Sequence, residues 1–473
     1  MYTHLMQMCG YAPDEVEKER PRLDRVFQTL GLGPKDIETA EKRLPIQFDM
    51  ELQGVRKLLH TWWTEFVDLI LAREEGKKIV YVTAPAWPGE PQEILNVAAE
   101  AAGVKDKVLV TMADFLMSTV MGIVFDKNND VVKEGEDAGL SASAMHCVIN
   151  QCMLGSLTKG YVPHPDLEIA SGFLCDQIAQ AEEWFGEMWG YETVIADSPF
   201  DIGWDEWPDI SPRKVEYLTS RYRRALDRAA EVLGVRITDD IIKEARKRYI
   251  QAYVDGFAPI RDLMPLDPLP VSIRNLAPFY FMSPLSRKDM YVDAAQTLVK
   301  EAKQRRKDGL SALPAGAPRV IFPLCPNVDT SLVRIVEEAG LHIPTMIMMN
   351  ATKRELQIKR KATDPLERII EGFLTSPWAS GNIIPMKEWV VDMARRFDAD
   401  GVLWFYMAVC RANAATNPIA LRKALMEETG LPVLMIEGDY HCTRMYPAEE
   451  MRTRIETFAE VVKNRNAARL AQA

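Results

Sequence analysis

The run "ELQGVRKLLHTWWTEFVDLILAREEGKK" sets Leu58, Leu59, Trp62, Phe66 and Leu69 at the spacing of a helix with one buried stripe. Charged, amphipathic sequence of this kind fills residues 1–75 and predicts a helical N-terminal segment. The pattern then changes. "KKIVYVTAPAW" is an apolar run of the kind a buried strand requires, and "PGEPQEILNVAAEAAGV" is helical up to Gly103. "KVLVTM", "PDLEIAS" and "YETVIADSPFD" are further strands. This alternation predicts a parallel α/β sheet over residues 76–205.

Between 206 and 314 the strands disappear. "RKVEYLTSRYRRALDRAAEVLG", "DDIIKEARKRYIQAYVDGFAPI" and "KDMYVDAAQTLVKEAKQRRKDG" are long, charged and helical in period. Residues 315–473 return to alternation: "PAGAPRVIFPLC", "HIPTMIMM", "DGVLWFYMAVC" and "LPVLMIEGD" as strands, "DTSLVRIVEEAG" and "ALRKALMEETG" as helices, and "AEEMRTRIETFAEVVKN" as a closing helix. The expected architecture is α/β, with two Rossmann-like (flavodoxin-like) parallel-sheet domains, an N-terminal helical segment and a helical middle section. Length agrees, since 473 residues exceed the roughly 250–300 at which single cores stop growing.

Charge narrows the partners. Lys and Arg total 57 against 68 Asp and Glu, a net of −11, so no basic surface for nucleic acid is implied. The longest apolar runs, such as "FLMSTVMGIVF", fall short of the roughly 18 residues of a membrane helix. "MYTHLMQMCGYAPDEVEKER" lacks the basic start and apolar core of a signal peptide. A cytoplasmic protein is expected, with no membrane contact.

Familiar signatures are missing: no G-x-G-x-x-G after a strand, no G-x-x-x-x-G-K-[ST], no G-x-S-x-G, and no His pair at i, i+4. What remains is the cysteines, at 9, 147, 152, 175, 325, 410 and 442. An odd number in a long chain reads as thiols or metal ligands before it reads as disulfides. Cys175 follows the strand "PDLEIAS" and Cys410 closes "GVLWFYMAV". In open α/β sheets, sites lie beyond the carboxyl ends of strands, so two domains can offer one thiol each to a shared cleft. Cys147 precedes Cys175 by 28 residues and is expected on a helix. Cys325 ends "VIFPLC" with the same strand-end logic, and Cys152 lies five residues from Cys147, off its helical face. On the residues alone, packing thiols and a three-cysteine iron-sulfur site both remain open.

"DGVLWFYMAVC", followed by "LPVLMIEGDY" and "RTRIETFAE", resembles the C-terminal signature of the 2-hydroxyacyl-CoA dehydratase and benzoyl-CoA reductase subunit family. There one strand ends in a cluster cysteine, a second ends in an acidic step, and a T-R-I/V helix follows. "HCVINQCMLGS" is similar to the family's Cys-then-Leu-Gly helix, with Cys147 and Leu154 at its spacing. "VPHPDLEIASGFLCD" resembles the Pro-Asp strand leading to a second cysteine, and "GEPQEILNVAAEAAG" the Pro-x-Glu-Leu opening. The likeness runs from about residue 76 to 465.

The resemblance implies that Cys147, Cys175 and Cys410 are the protein ligands of a [4Fe-4S] cluster, with one iron left open. It implies an acyl-CoA thioester substrate, a second related subunit in a heterodimer, and a separate ATP-dependent iron-sulfur activator protein that injects one electron. The implied reaction is ketyl-radical elimination of water from a 2-hydroxyacyl-CoA. Benzoyl-CoA-type ring reduction shares the architecture, and an electron-transfer protein without acyl-CoA turnover is the reading from another class. Asp439 and Glu437 stand out as an acidic pair at a strand end, while Arg452 and Arg454 read as solvated or ion-paired helix positions. One departure is plain: many larger subunits read Asn-Arg-Ser-Cys where this chain has Met407, Ala408, Val409 and Cys410. That removes an arginine and a hydroxyl as hydrogen-bond donors to a cluster or thioester.

Overall fold

The computed structural model describes residues 1–83, 90–141, 146–172, 176–197, 207–359, 362–377, 383–407, 418–445 and 448–470. Four helices open the chain: α1 (Thr3–Met8), α2 (Pro13–Thr29), α3 (Pro34–Gln47) and α4 (Gln53–Leu71). The stripe expected on α4 is wider than one face. Trp63, Val67 and Ile70 are buried as well as Leu58, Leu59, Trp62, Phe66 and Leu69, because α4 lies between α2 and the helix Lys288–Lys307. Gly54 permits the second contact, since a Cβ there would stand 2.5 Å from Leu298.

The first sheet follows, with β1 (Lys78–Val82), α5 (Glu90–Ala101), β2 (Val108–Thr111), α6 (Ala113–Thr119), α7 (Asn128–Asp137), α8 (Val148–Thr158), β3 (Leu167–Ser171), α9 (Asp176–Trp189) and β4 (Glu192–Ala196). All its strands are parallel, in the order β2-β1-β3-β4. The order reverses between β1 and β3, so the crevice of such a sheet lies at their carboxyl ends, where the Thr83 N–H donates to Ile169 at 3.1 Å. α7 and α8 cross on glycines: a Cβ on Gly135 would meet the Gln151 carbonyl at 1.9 Å, and one on Gly155 the Val131 carbonyl at 2.0 Å.

The middle section is helical, with α10 (Pro212–Leu233), α11 (Asp239–Ala252) and Lys288–Lys307 as its long members. α10 ends at Gly234, whose φ of 69° is the left-handed stop a helix favours. The second sheet is also parallel, in the order β5 (Val320–Ile321), β6 (Gly401–Tyr406), β7 (Val433–Glu437). β6 is covered on both faces. Val402 and Trp404 pack toward the helices Ile383–Arg396 and Pro418–Thr429, whereas Leu403 and Phe405 join the main core, as a continuous apolar strand requires.

"HIPTMIMM" does not form the expected strand. It forms isolated bridges to the residues on either side of β5, His342 with Arg319 and Met346 with Phe322, then turns into a short 3-10 helix, Ile347–Met349. Pro344 lies between the bridges and has no N–H for a ladder.

Candidate functional site

Cys147 is not in α8 but caps it. Its backbone is extended (φ −64°, ψ 137°), and its carbonyl accepts the N–H groups of Asn150 at 3.1 Å and Gln151 at 3.2 Å. A cap residue leaves the helix while its carbonyl starts the bonding, which corrects the expected position by one residue. The residue is 6% exposed. It therefore sits in the field of the unpaired N–H groups of a helix start, which suits an anionic ligand. Cys175 and Cys410 lie outside the described residues.

Their flanks are described. Asn150 Nδ2 donates to the Gln177 carbonyl at 3.2 Å, tying the first turn of α8 to that of α9, two residues beyond Cys175. Met407 follows β6, and its sulfur accepts the Tyr440 N–H at 3.3 Å, while the Tyr440 hydroxyl donates to the Phe405 carbonyl at 3.0 Å. The segment after β7 thus folds back over the end of β6.

That segment is clasped to the first sheet's helices by two consecutive asparagines at the start of α7. Asn128 Nδ2 donates to the His441 carbonyl and its Oδ1 accepts the Cys152 thiol at 3.0 Å. Asn129 Nδ2 donates to Thr443 at 2.9 Å and its Oδ1 accepts the Cys442 thiol at 3.1 Å. Arg444 pairs with Glu136 at 2.8 Å. Farther along the seam, Asn327 donates to Ser118 and Thr119 at 2.9 and 3.0 Å, and Arg43 pairs with Asp329 at 2.9 Å.

The remaining thiols are packing or seam groups. Burial pushes Cys9, Cys152 and Cys325 well up, so each stays protonated at neutral pH. Cys325 is buried after β5, its N–H donating to Met346 Sδ at 3.2 Å. Asp439 and Glu437 do not act as a pair. Asp439 is 1% exposed, accepts the His441 N–H at 2.7 Å, and is pushed up to about 7 chiefly by burial. Glu437 is exposed and receives the Tyr406 hydroxyl at 3.3 Å. Arg452 is ion-paired with Glu338 at 2.9 Å, and Arg454 donates to the Met435 carbonyl on the outer edge of β7.

Two histidines escaped the sequence reading. The Nδ1 atoms of His146 and His441 are both buried with no partner among the described residues, and burial pushes His441 down to about 4, leaving it neutral. A signal was present, for each stands directly before a cysteine in an "HC" step. A buried ring nitrogen beside Cys147 is a free group for a hydrogen bond to sulfur, which is one of the ways proteins tune an iron-sulfur cluster. Among the described residues no three His, Cys, Asp or Glu side chains form a metal site, and no helix is long and apolar enough to cross a membrane. A groove of about 440 Å³ lies between the edge strand β4 and α10, but its Arg228 is already paired with Glu192, and no candidate cysteine lines it.

Comparison with known proteins adds a lineage. The family described as 2-hydroxyglutaryl-CoA dehydratase, D-component, matches residues 91–462. The (R)-phenyllactyl-CoA dehydratase beta subunit of Clostridium sporogenes is 24% identical over 254 residues, 52% of this chain and 64% of that one. The (R)-2-hydroxyglutaryl-CoA dehydratase subunit alpha of Acidaminococcus fermentans is 20% identical over 337 residues, 70% and 65% of the two chains. The (R)-2-hydroxyisocaproyl-CoA dehydratase alpha subunit of Clostridioides difficile is 19% identical over 414 residues, 85% and 94%. The alignments span just under two thirds of the first two relatives.

Proposed function

From a chain that belongs to the 2-hydroxyglutaryl-CoA dehydratase D-component family, we propose an iron-sulfur subunit of a 2-hydroxyacyl-CoA dehydratase-like enzyme. Cys147, Cys175 and Cys410 hold a [4Fe-4S] cluster between the two sheets. The observation that carries the reading is the place of Cys147, a buried cysteine capping a helix whose next turn is bonded to the turn following Cys175. Such a cluster, when bound, supplies single electrons at low potential.

The rest of the work is the chain's own. The start of α8 sets partial positive charge beside Cys147. The Asn128–Asn129 clasp holds the segment after β7 against the helices of the first sheet. An acyl-CoA in the crevice loses the hydroxyl on C2 and a hydrogen on C3, giving the 2-enoyl thioester and water with no net change in electrons. The relatives are named as alpha and beta subunits, which supports a related second subunit, and an ATP-dependent iron-sulfur activator is the electron source that this reading adds.

The test is anaerobic purification with iron and sulfide counting, followed by assay with the partner and activator. About four irons per chain and dehydration without net electron consumption support the reading. A product that consumes two electrons replaces it with ring reduction, and an iron-free protein after reconstitution sinks it.

A further inference from the structure

Among the described residues the second sheet ends in β7, whose outer edge carries arginines that the proposed function does not use. The ladder between β6 and β7 begins with the Val402 N–H on the Pro432 carbonyl at 2.9 Å and closes with the Gly438 N–H on the Tyr406 carbonyl at 3.0 Å. That register turns the backbone groups of Leu434 and Ile436 toward β6 and those of Val433, Met435 and Glu437 outward. Two of the outward carbonyls are taken by side chains of the flanking helices. Arg422 Nε, on the helix Pro418–Thr429, donates to the Val433 carbonyl at 3.2 Å, and Arg454 Nη2, on the helix Ala448–Leu470, donates to the Met435 carbonyl at 2.7 Å. Arg465 does the same just before the strand, at the Gly430 carbonyl, at 2.7 Å. The arginines beside β4, the edge strand of the first sheet, direct their donors to carboxylates instead: Arg228 pairs with Glu192 at 2.7 Å and Arg223 with Asp364 at 2.8 Å.

We propose that Arg422 and Arg454 close the outer edge of β7 to the same edge of a second copy of this chain, so that copies cannot join by continuing the second sheet. The strand needs such cover. Its sequence "VLMIE" is apolar and strand-forming, and an edge of that kind adds strands from other chains. A two-fold pair of copies would run β7 antiparallel to its counterpart with Met435 beside the axis. It would need the Val433 and Met435 carbonyls as acceptors, and both are already held by ionised donors, which bond more strongly than an amide N–H. Displacing the guanidiniums would leave charges without their acceptors in a newly buried seam. At the axis the Arg454 side chains of the two copies would face each other, a like-charge contact that disfavours the pair. Glu437, the one carboxylate of the strand, is already engaged by the Tyr406 hydroxyl at 3.3 Å.

Replacing both arginines in the full chain, Arg422→Ala with Arg454→Ala, tests this with or without a bound cluster, and so separately from the dehydratase reading. Sedimentation velocity over a concentration series should show the double variant self-associating at least about tenfold more tightly than wild type, the scale of one hydrogen bond. Hydrogen exchange resolved to single amides identifies the surface. The outward Met435 N–H slows with concentration in the variant and not in wild type, whereas the Ile436 N–H, bonded within the sheet, is protected in both. Adding Met435→Pro removes the outward donor and spares the ladder to β6, as proline permits on an edge strand, and returns association to the wild-type level. Should the double variant not fold, Arg454→Ala alone frees the carbonyl at the axis and gives the same comparison. Association and Met435 exchange that match wild type in the folded variant overturn the proposal. So does association that survives Met435→Pro, because it runs through another surface.

Discussion

The cysteines of this chain stand in different surroundings, and the proposed ligand is set apart from the others by them. Cys147 caps a helix beside an unpartnered histidine nitrogen, while Cys152 and Cys325 are buried where the neutral thiol is favoured. Cys147→Ala should therefore cut the iron and sulfide content to near background, and Cys152→Ala and Cys325→Ala should leave it close to wild type. Equal losses in all of them would make the effect one of folding. Asp439 offers a second test. Its folded value is raised to about 7 from 3.8, so the folded state holds a proton that the unfolded chain releases. That stability is present below about pH 4 and is lost as pH rises through 7. Asp439→Asn should flatten this part of the pH dependence of Tm, a difference of at most about 4 kcal/mol at about 1.4 kcal/mol per unit. Parallel profiles for the two proteins would refute the assignment. Neither environment was legible in the sequence. It put Asp439 and Glu437 at one strand end but could not say that one turns inward and the other out.

At the scale of elements, long runs were readable and short ones were not. β1, β6 and β7 appear where continuous apolar residues demanded them, and α10 where helical period and a following glycine did. "HIPTMIMM" has the composition of a strand, but Pro344 removes the donor it would need. The α7–α8 crossing was also invisible, because a glycine in a helix looks like a weakness until the other helix is seen. Gly135→Ala and Gly155→Ala should each cost about 2–3 kcal/mol, as overpacking typically does, measured by chemical denaturation. A loss below about 0.5 kcal/mol would mean the helices can separate freely. Both variants should also bind less iron although neither residue is a ligand.

The whole molecule is bound more tightly than two expected cores imply. One continuous apolar cluster runs from Leu5 through the first sheet and the middle helices to Phe458, and polar bonds cross the seam at Arg43, Asn327 and Asn128. Large chains commonly unfold domain by domain. This one should give a single calorimetric transition, and two resolved peaks would show that the seam is weaker than its contacts. The sequence could not show this, since each seam bond joins residues hundreds of positions apart. The glycine crossing then acquires a mechanical meaning. α7 carries the clasp on the segment after β7, and α8 is capped by Cys147. Because their backbones touch where they cross, the two helices act as a single stiff lever. A displacement of the segment after β7 would then reach Cys147 instead of being absorbed between the helices, so that under the proposed ligation the clasp and the cysteine would move as one piece.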